Sequence, residues 1–309
     1  MTKTIKENIS LIIVALICIA LAVYEPLIFE LNNLSNISKQ ASLIAIFALA
    51  QSVVLITKGL DLSQGGTITI VSVCVALLSN SIGIPAAIFI GFIIGSIIGS
   101  INGLIVSKFK VSPFVVTLGI GFFLQGAALV LSKGQPVYNV PEGFTYLGWH
   151  EIFGIPVIVY ILFLISLALH FYLTKVIYGR YLFAIGSNEK ASYLSGIKVL
   201  RHKVIAYVVC GFITSIGAVV LASRINSGHP VEGSNTALQS VAAAVIGGVS
   251  LFGGKGSIIG VVLGSVLLAF ISNALNILNV SSYYQQIMIG VIIIFAVIID
   301  KLKTKNNEE

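Results

Sequence analysis

An α-helix needs about 20 consecutive apolar residues to cross the roughly 30 Å hydrocarbon core of a bilayer, and runs of that kind fill most of this chain. Ten windows qualify, at approximately 9–29, 38–57, 65–80, 84–106, 113–132, 155–174, 204–223, 237–251, 257–279 and 284–300. Inside lipid every backbone N–H and C=O must find its partner within the protein, so such windows are expected to be helices. Only 9% of the residues are charged, against about a quarter in a soluble domain. The expected fold is all-α: an integral membrane protein of about ten transmembrane helices, with residues 1–309 forming one transmembrane domain. The windows at 65–80 and 237–251 are short and rich in Gly, Ser, Thr or Ala, which suits helices tucked inside the bundle, away from lipid. The segments "NSIGIP", "KVSP" and "GGKGS" punctuate breaks between windows with turn-forming residues.

Lys and Arg in short loops resist translocation and so mark the cytoplasmic side. With an even number of spans and both termini inside, fifteen of the eighteen Lys and Arg fall on cytoplasmic segments; only Lys39, Lys133 and Arg224 fall outside. The 174–203 stretch and the 301–309 tail are then cytoplasmic, and the 133–153 loop faces out. Lys3, Lys6, the apolar run after them and "ALA" at Ala20–Ala22 have the outline of a cleavable signal peptide. The run continues to Phe29, longer than a usual signal core, and is expected to stay as the first span.

Two internal matches share one offset. "VVLITK" (Val53–Lys58) ends the second span and "VVLASR" (Val219–Arg224) the seventh, while "GSIIGSINGLIVSKFKVSPF" from Gly95 is echoed by "GSVLLAFISNALNILNVSSY" from Gly264. Both pair a span with the one five further on. An odd offset reverses direction through the membrane, so the expected plan is a five-plus-five inverted repeat with a pathway between its halves. Gly91, Gly95, Gly99 and Gly103 form one stripe down the fourth span, and Gly260 and Gly264 a shorter one on the ninth. Helices in lipid are held by close approach over small residues, so these six are expected helix-packing positions. Gln51, Asn102, Gln125, Asn273 and Asn276 are amides within spans; each either bonds a neighbouring helix or lines the pathway.

No acidic residue falls at a mid-span position in this assignment, which speaks against a proton-coupled carrier. His170 is the nearest ionisable group, toward the cytoplasmic end of the sixth span. Paired carboxylates, a nucleophile elbow and a zinc signature are missing, so no catalytic residue and no metal site is expected, and the chain does not read as an enzyme. Cys18, Cys74 and Cys210 lie within spans with neither disulfide nor metal-ligand spacing. "GGKGS" is no phosphate loop, because Val249 occupies the required first glycine and Gly256 the magnesium-binding Ser or Thr. Energy for uphill transport must therefore come from a partner. "GSNEKASYLSGI" (Gly186–Ile197) reads as a short helix, with Ser187 or Asn188 as N-cap, Glu189 in the first turn and Gly196 as the left-handed stop. Two turns are not stable alone, so this helix calls for a surface to dock on. Without a mid-span charge to pair an ionised solute, the solute should be neutral, polar and small.

Four segments carry a family resemblance: "GLDLS" (Gly59–Ser63), "GSNEKASYLSGI", "AVIGGVSLFGGKGSIIGVVLG" (Ala244–Gly264) and "NVSSYYQ" (Asn279–Gln285). Over roughly residues 40–300 the chain resembles the membrane permease subunit of bacterial ABC importers of the ribose-type monosaccharide class. The resemblance implies a second permease copy, identical or related, and cytoplasmic ABC ATPase subunits that bind the ATP and Mg, this chain binding no cofactor. It also implies an extracytoplasmic sugar-binding protein, no nucleic acid as partner, and a multi-pass location in the bacterial cytoplasmic (inner) membrane. It maps the ATPase-coupling helix onto Asn188, Glu189, Tyr193, Leu194, Ser195 and Gly196, inside a coupling loop at 174–203. Three positions depart from the family's usual pattern: Lys190 stands where Ala is frequent, Gln64 replaces a small apolar residue, and Ala237-Leu238-Gln239 replaces Glu-Leu-Asp. They leave the particular sugar, ribose or a related one, open. The alternative function is a stand-alone secondary carrier or facilitator for a small polar solute.

Overall fold

The computed structural model describes residues 29–298, apart from Ser234, Ser282, Gln285, Ile289, Ile292, Ile293, Ala296 and Val297. The first expected span, save Phe29, and the 301–309 tail lie outside the described residues. In chain order the elements are α1 (Leu31–Ile56), α2 (Gln64–Ile82), α3 (Ile84–Phe109), α4 (Pro113–Leu131) and α5 (Tyr146–Trp149). A small antiparallel hairpin follows, β1 (Glu151–Ile152) with β2 (Ile155–Pro156). Then come α6 (Val157–Lys175), α7 (Ile177–Ser187), α8 (Glu189–Leu194), α9 (Val199–Ile225), α10 (Thr236–Ile246) and α11 (Ile258–Ile277).

Seven described helices (α1, α2, α3, α4, α6, α9 and α11) are long and apolar enough to cross a membrane. The chain is thus an all-α membrane protein. The 237–251 window holds the short α10, and described residues of the tenth window, such as Tyr283 and Met288, are helical. Local chemistry sets several boundaries. Pro85 and Pro113 occupy the first turns of α3 and α4, where a missing N–H costs nothing. Ser257 caps α11 by accepting from the Gly260 N–H at 3.3 Å. The 174–203 stretch is not a loop throughout: α6 runs to Lys175, α7 and α8 follow, and α9 starts at Val199, five residues before the 204–223 window.

Helix α1 is the centre of the bundle, with 83% of its most apolar window buried, against 22% for α4 and α6. The largest pairing is α3 on α9, followed by α11 on α1; α1 also packs on α9 and α10, and α2 on α3, α4 and α9. Backbones touch at glycines. A Cβ on Gly95 would lie 2.4 Å from the Gly211 carbonyl oxygen, and one on Gly103 2.8 Å from Val204 Cα. Since 95 meets 211 and 103 meets 204, α3 and α9 are antiparallel. Gly91 faces Val71 and Val75 of α2, while Gly260 and Gly264 face Gly247 and Ala243 around the end of α10. Asn33 and Asn273 exchange two amide hydrogen bonds of 2.9 and 2.8 Å, and Gly256 abuts Ile56, so α1 and α11 are antiparallel too. These pairings bring Lys58, Lys108, Lys203 and Lys255 to one end of the bundle, the basic end.

Candidate functional site

The chain leaving α1 does not stay at the basic end. Residues Gly59–Ser63 fold back between the helices, and Asp61 is only 3% exposed. The Gln51 carboxamide, its nitrogen turned toward the loop, donates to the Asp61 carbonyl and accepts from the Asp61 N–H, both at 3.1 Å. At 1.5 Å per residue this sets Asp61 about 7 Å inside the end of α1. Asp61 Oδ1 accepts from Ser63 N–H at 3.0 Å, from Ser63 Oγ at 2.6 Å and from Asn102 Nδ2 at 3.5 Å. The Cys210 thiol donates to Asp61 Oδ2 at 3.6 Å. Thr117 closes the other side of the loop, accepting from Leu62 N–H and donating to the Leu60 carbonyl, which also accepts from Tyr207 at 3.3 Å. The sequence expectation concerned mid-span positions only and gave no sign that Asp61, in a loop near the end of α1, is buried. A hydropathy window treats a polar loop between spans as solvent-exposed; here helices α3 and α9, remote in sequence, bury it.

Helix α2 starts at this depth, and its first residue ties four elements together. Gln64 Nε2 donates to the Phe47 carbonyl of α1 at 2.9 Å and to Thr214 Oγ1 of α9 at 3.1 Å, while its Oε1 accepts from Ser240 Oγ of α10 at 2.5 Å. Immediately beyond this bridge, away from the basic end, lies a cavity of about 480 Å³ between α1, α9, α10 and α11. Leu43, Ile44, Phe47 and Leu221 form its apolar wall. Gln40, Thr236, Gln239 and Asn276 bring uncharged polar groups, and Arg224 and Glu232 one charge of each sign. Gln64 and Gln239, two departures from the resemblance, thus belong to the bridge and the cavity.

Two loops form the rim at this end. Val137 and Gly228 exchange backbone hydrogen bonds of 2.8 and 3.0 Å, Gly148 N–H donates to Ser223 Oγ at 2.8 Å, and Trp149 Nε1 donates to the Arg224 carbonyl at 2.7 Å. Lys39 lies 5.7 Å from the Trp149 ring centroid and pairs with Glu151 at 2.9 Å. The hydrogen bond and charge of Lys39, with a further bond from Ser35, hold the Glu151 carboxyl below the usual carboxylate range.

Of the five candidate amides, Asn276 lines the cavity. Gln51 and Asn102 hold the Gly59–Ser63 loop, with Asn102 Nδ2 donating to Ser63 Oγ at 2.7 Å, and Asn273 is paired with Asn33. Gln125 lies half-buried on α4, apart from the cavity. Sequence reasoning missed Asp61 and Gln40; the quoted "GLDLS" was the signal for the first, and nothing in the local pattern marks the second. Among the described residues no group of three or more His, Cys, Asp or Glu could hold a metal ion.

At the basic end α8 stands out from the bundle. Asn188 Oδ1 caps it, accepting from the Ala191 N–H at 3.0 Å, and Glu189 pairs with Lys203 at 2.5 Å. Gly196 stops it at φ +84°. Tyr193 and Leu194 are 70% and 75% exposed, and Ser195 is exposed beside them. The base of α8 is wedged tightly. Gly254 N–H donates to the Ile56 carbonyl at 2.9 Å, and a Cβ on Gly186 would fall 2.5 Å from the Gly254 nitrogen.

Residues 33–297 match the model of a family described as branched-chain amino acid transport system, permease component. The chain is 36% identical to a ribose import permease protein of Escherichia coli strain K12 over 304 residues, 97% of this chain and 95% of that protein. It is 34% identical to an L-arabinose transport system permease protein of the same organism over 300 residues, 96% and 90% of the two chains. A D-allose transport system permease protein, also from that strain, is 32% identical over 276 residues, 89% and 85%. No solved structure matches the chain.

Proposed function

As the chain belongs to the family of branched-chain amino acid transport system permease components, its work is transport, and we propose that it is the membrane-spanning subunit of an ATP-driven ABC importer for a small neutral monosaccharide. The observation that carries this reading is near full-length similarity to permeases named for ribose, arabinose and allose. A capped, protruding α8 with an exposed Tyr193–Leu194 pair offers a docking surface for a cytoplasmic ATPase. The joined outer loops offer another to an extracytoplasmic sugar-binding protein. A second permease copy would complete the channel.

The helix pairings support the five-plus-five plan of ten spans. Exchanging each span for the one five further on turns α3 on α9 into α11 on α1, α2 on α9 into α10 on α1, and α2 on α3 into α10 on α11. Clustering of Lys58, Lys108, Lys203 and Lys255 at one end supports a cytoplasmic basic end in a bacterial inner membrane, with both termini inside. The experiment is uptake into liposomes holding this subunit, its ATPase and its binding protein, with each omitted in turn. Sugar should enter only with all three present. Entry through the permease alone would replace the importer by a facilitator, and uptake of leucine in place of sugar would move the solute to the amino-acid class.

A further inference from the structure

The cavity beyond the Gln64 bridge has the makings of a binding site and not only of an entrance. At about 480 Å³ it lies within the range of small-molecule pockets, about 300–1,000 Å³. Its end toward the basic side is spanned by Gln64, which joins Phe47, itself in the cavity wall, to Ser240, the residue after Gln239, and to Thr214, about two turns along α9 from Leu221. A solute that enters from the rim stops here until that bridge parts.

The chemistry of the lining selects the solute. Gln40 and Gln239 line the cavity half-buried, and among the described residues neither carboxamide has a side-chain partner. With no protein partner to give up, each is free to exchange water for a ligand's hydroxyl. Each carboxamide offers one acceptor and two donors, the complement of a hydroxyl, which does both. Asn276 adds a third carboxamide to the lining, and the Phe47 wall supplies an apolar surface for the C–H face of a ring. The two charged lining residues, Arg224 and Glu232, are opposite in sign, so the cavity holds no net charge to attract an ion.

From this geometry we infer that the cavity is a monosaccharide-binding station of the permease itself, in which Gln40, Gln239 and Asn276 hydrogen-bond sugar hydroxyls while the Gln64 bridge bars the way inward. The inference rests on the sugar-importer reading and goes beyond it by placing part of the recognition in this chain. Three bonds to uncharged groups are worth little each, which suits a station that must release its guest.

The test uses the complete importer in liposomes, with labelled D-ribose, L-arabinose and D-allose as probes, and compares sugar delivered with ATP hydrolysed. Gln239→Ala and Asn276→Ala should each lower sugar delivered per ATP about fivefold, the worth of one neutral hydrogen bond. ATP hydrolysis stimulated by the loaded binding protein should stay within about twofold, because docking and coupling surfaces are untouched. Leu238→Ala, on the same turn of α10 but outside the cavity, should change neither. The station is refuted if the two glutamine and asparagine variants leave delivery per ATP unaltered, or if delivery and hydrolysis fall in parallel. A wild-type complex that imports none of the three sugars would refute the importer reading instead, and that result is read before any variant is made.

Discussion

Among the described residues the side chain of Asp61 accepts hydrogen bonds from uncharged donors only, Ser63, Asn102 and the Cys210 thiol, so its oxygens matter as acceptors. Asp61→Asn keeps one of them, and we predict that it folds with a stability within about 1 kcal/mol of wild type. Asp61→Ala strands buried donors and should cost about 1–3 kcal/mol, read as a lower melting temperature in detergent. Equal losses in the two variants would show instead that the negative charge is needed. Glu151 supplies a second residue-level prediction, with an explicit sign. Its carboxyl is held below the usual range by Lys39, so the pair stabilises the fold above about pH 4.3, the ordinary Glu value, and the benefit fades as pH falls through the lowered value. The melting-temperature gap between wild type and Glu151→Gln should therefore be present at neutral pH and close on acidification. A gap that widened in acid would contradict the pairing. The glycine stripe of α3 was legible in the sequence because its four-residue period is local. Asp61 was not, since its burial comes from residues 41 to 149 positions away.

At the scale of elements, α8 makes the sharpest prediction. Gly196 holds φ +84°, a conformation that a β-branched residue resists. Gly196→Val should misdirect the end of the helix, and Tyr193→Ala should remove its most prominent contact. In both, uptake and binding-protein-stimulated ATP hydrolysis should fall together by about tenfold or more, with membrane insertion unchanged; one lost buried aromatic of 2 kcal/mol or so is enough for that factor. Survival of both activities would exclude α8 as the coupling element. The helices themselves were largely readable: the windows at 84–106, 113–132 and 257–279 match α3, α4 and α11 within three residues, because apolar length is a direct signal of a span. The early start of α9 and the helical character of α7 were hidden by Arg, Lys and His at the basic end, which lower hydropathy without opposing the helix. The cavity was legible through Asn276 and through Gln239 as a departure from the family pattern; Gln40 carries no local mark, because its place is set by the packing of α1 against α10.

For the molecule as a whole, orientation is the property on which the functional reading turns. Cysteines placed singly at Ser195 and Thr145 in a cysteine-free background should react oppositely with an impermeant maleimide in intact cells, Thr145→Cys labelled and Ser195→Cys protected until the membrane is broken. Equal labelling from outside would overturn the assignment of the basic end to the cytoplasm. The wedge of Gly186 against α1 and the Gly253–Gly254 turn also joins the α8 base to the helices α1 and α11, the same two that wall the cavity at the far end. Trp149 stands at that far end, its indole N–H on the Arg224 carbonyl and Lys39 beside its ring, and the chain has one tryptophan in 309 residues. All indole emission from this protein therefore originates at the rim of the cavity, 58% exposed, and iodide added to one side of a sealed vesicle will quench it only when that side is the one the rim faces.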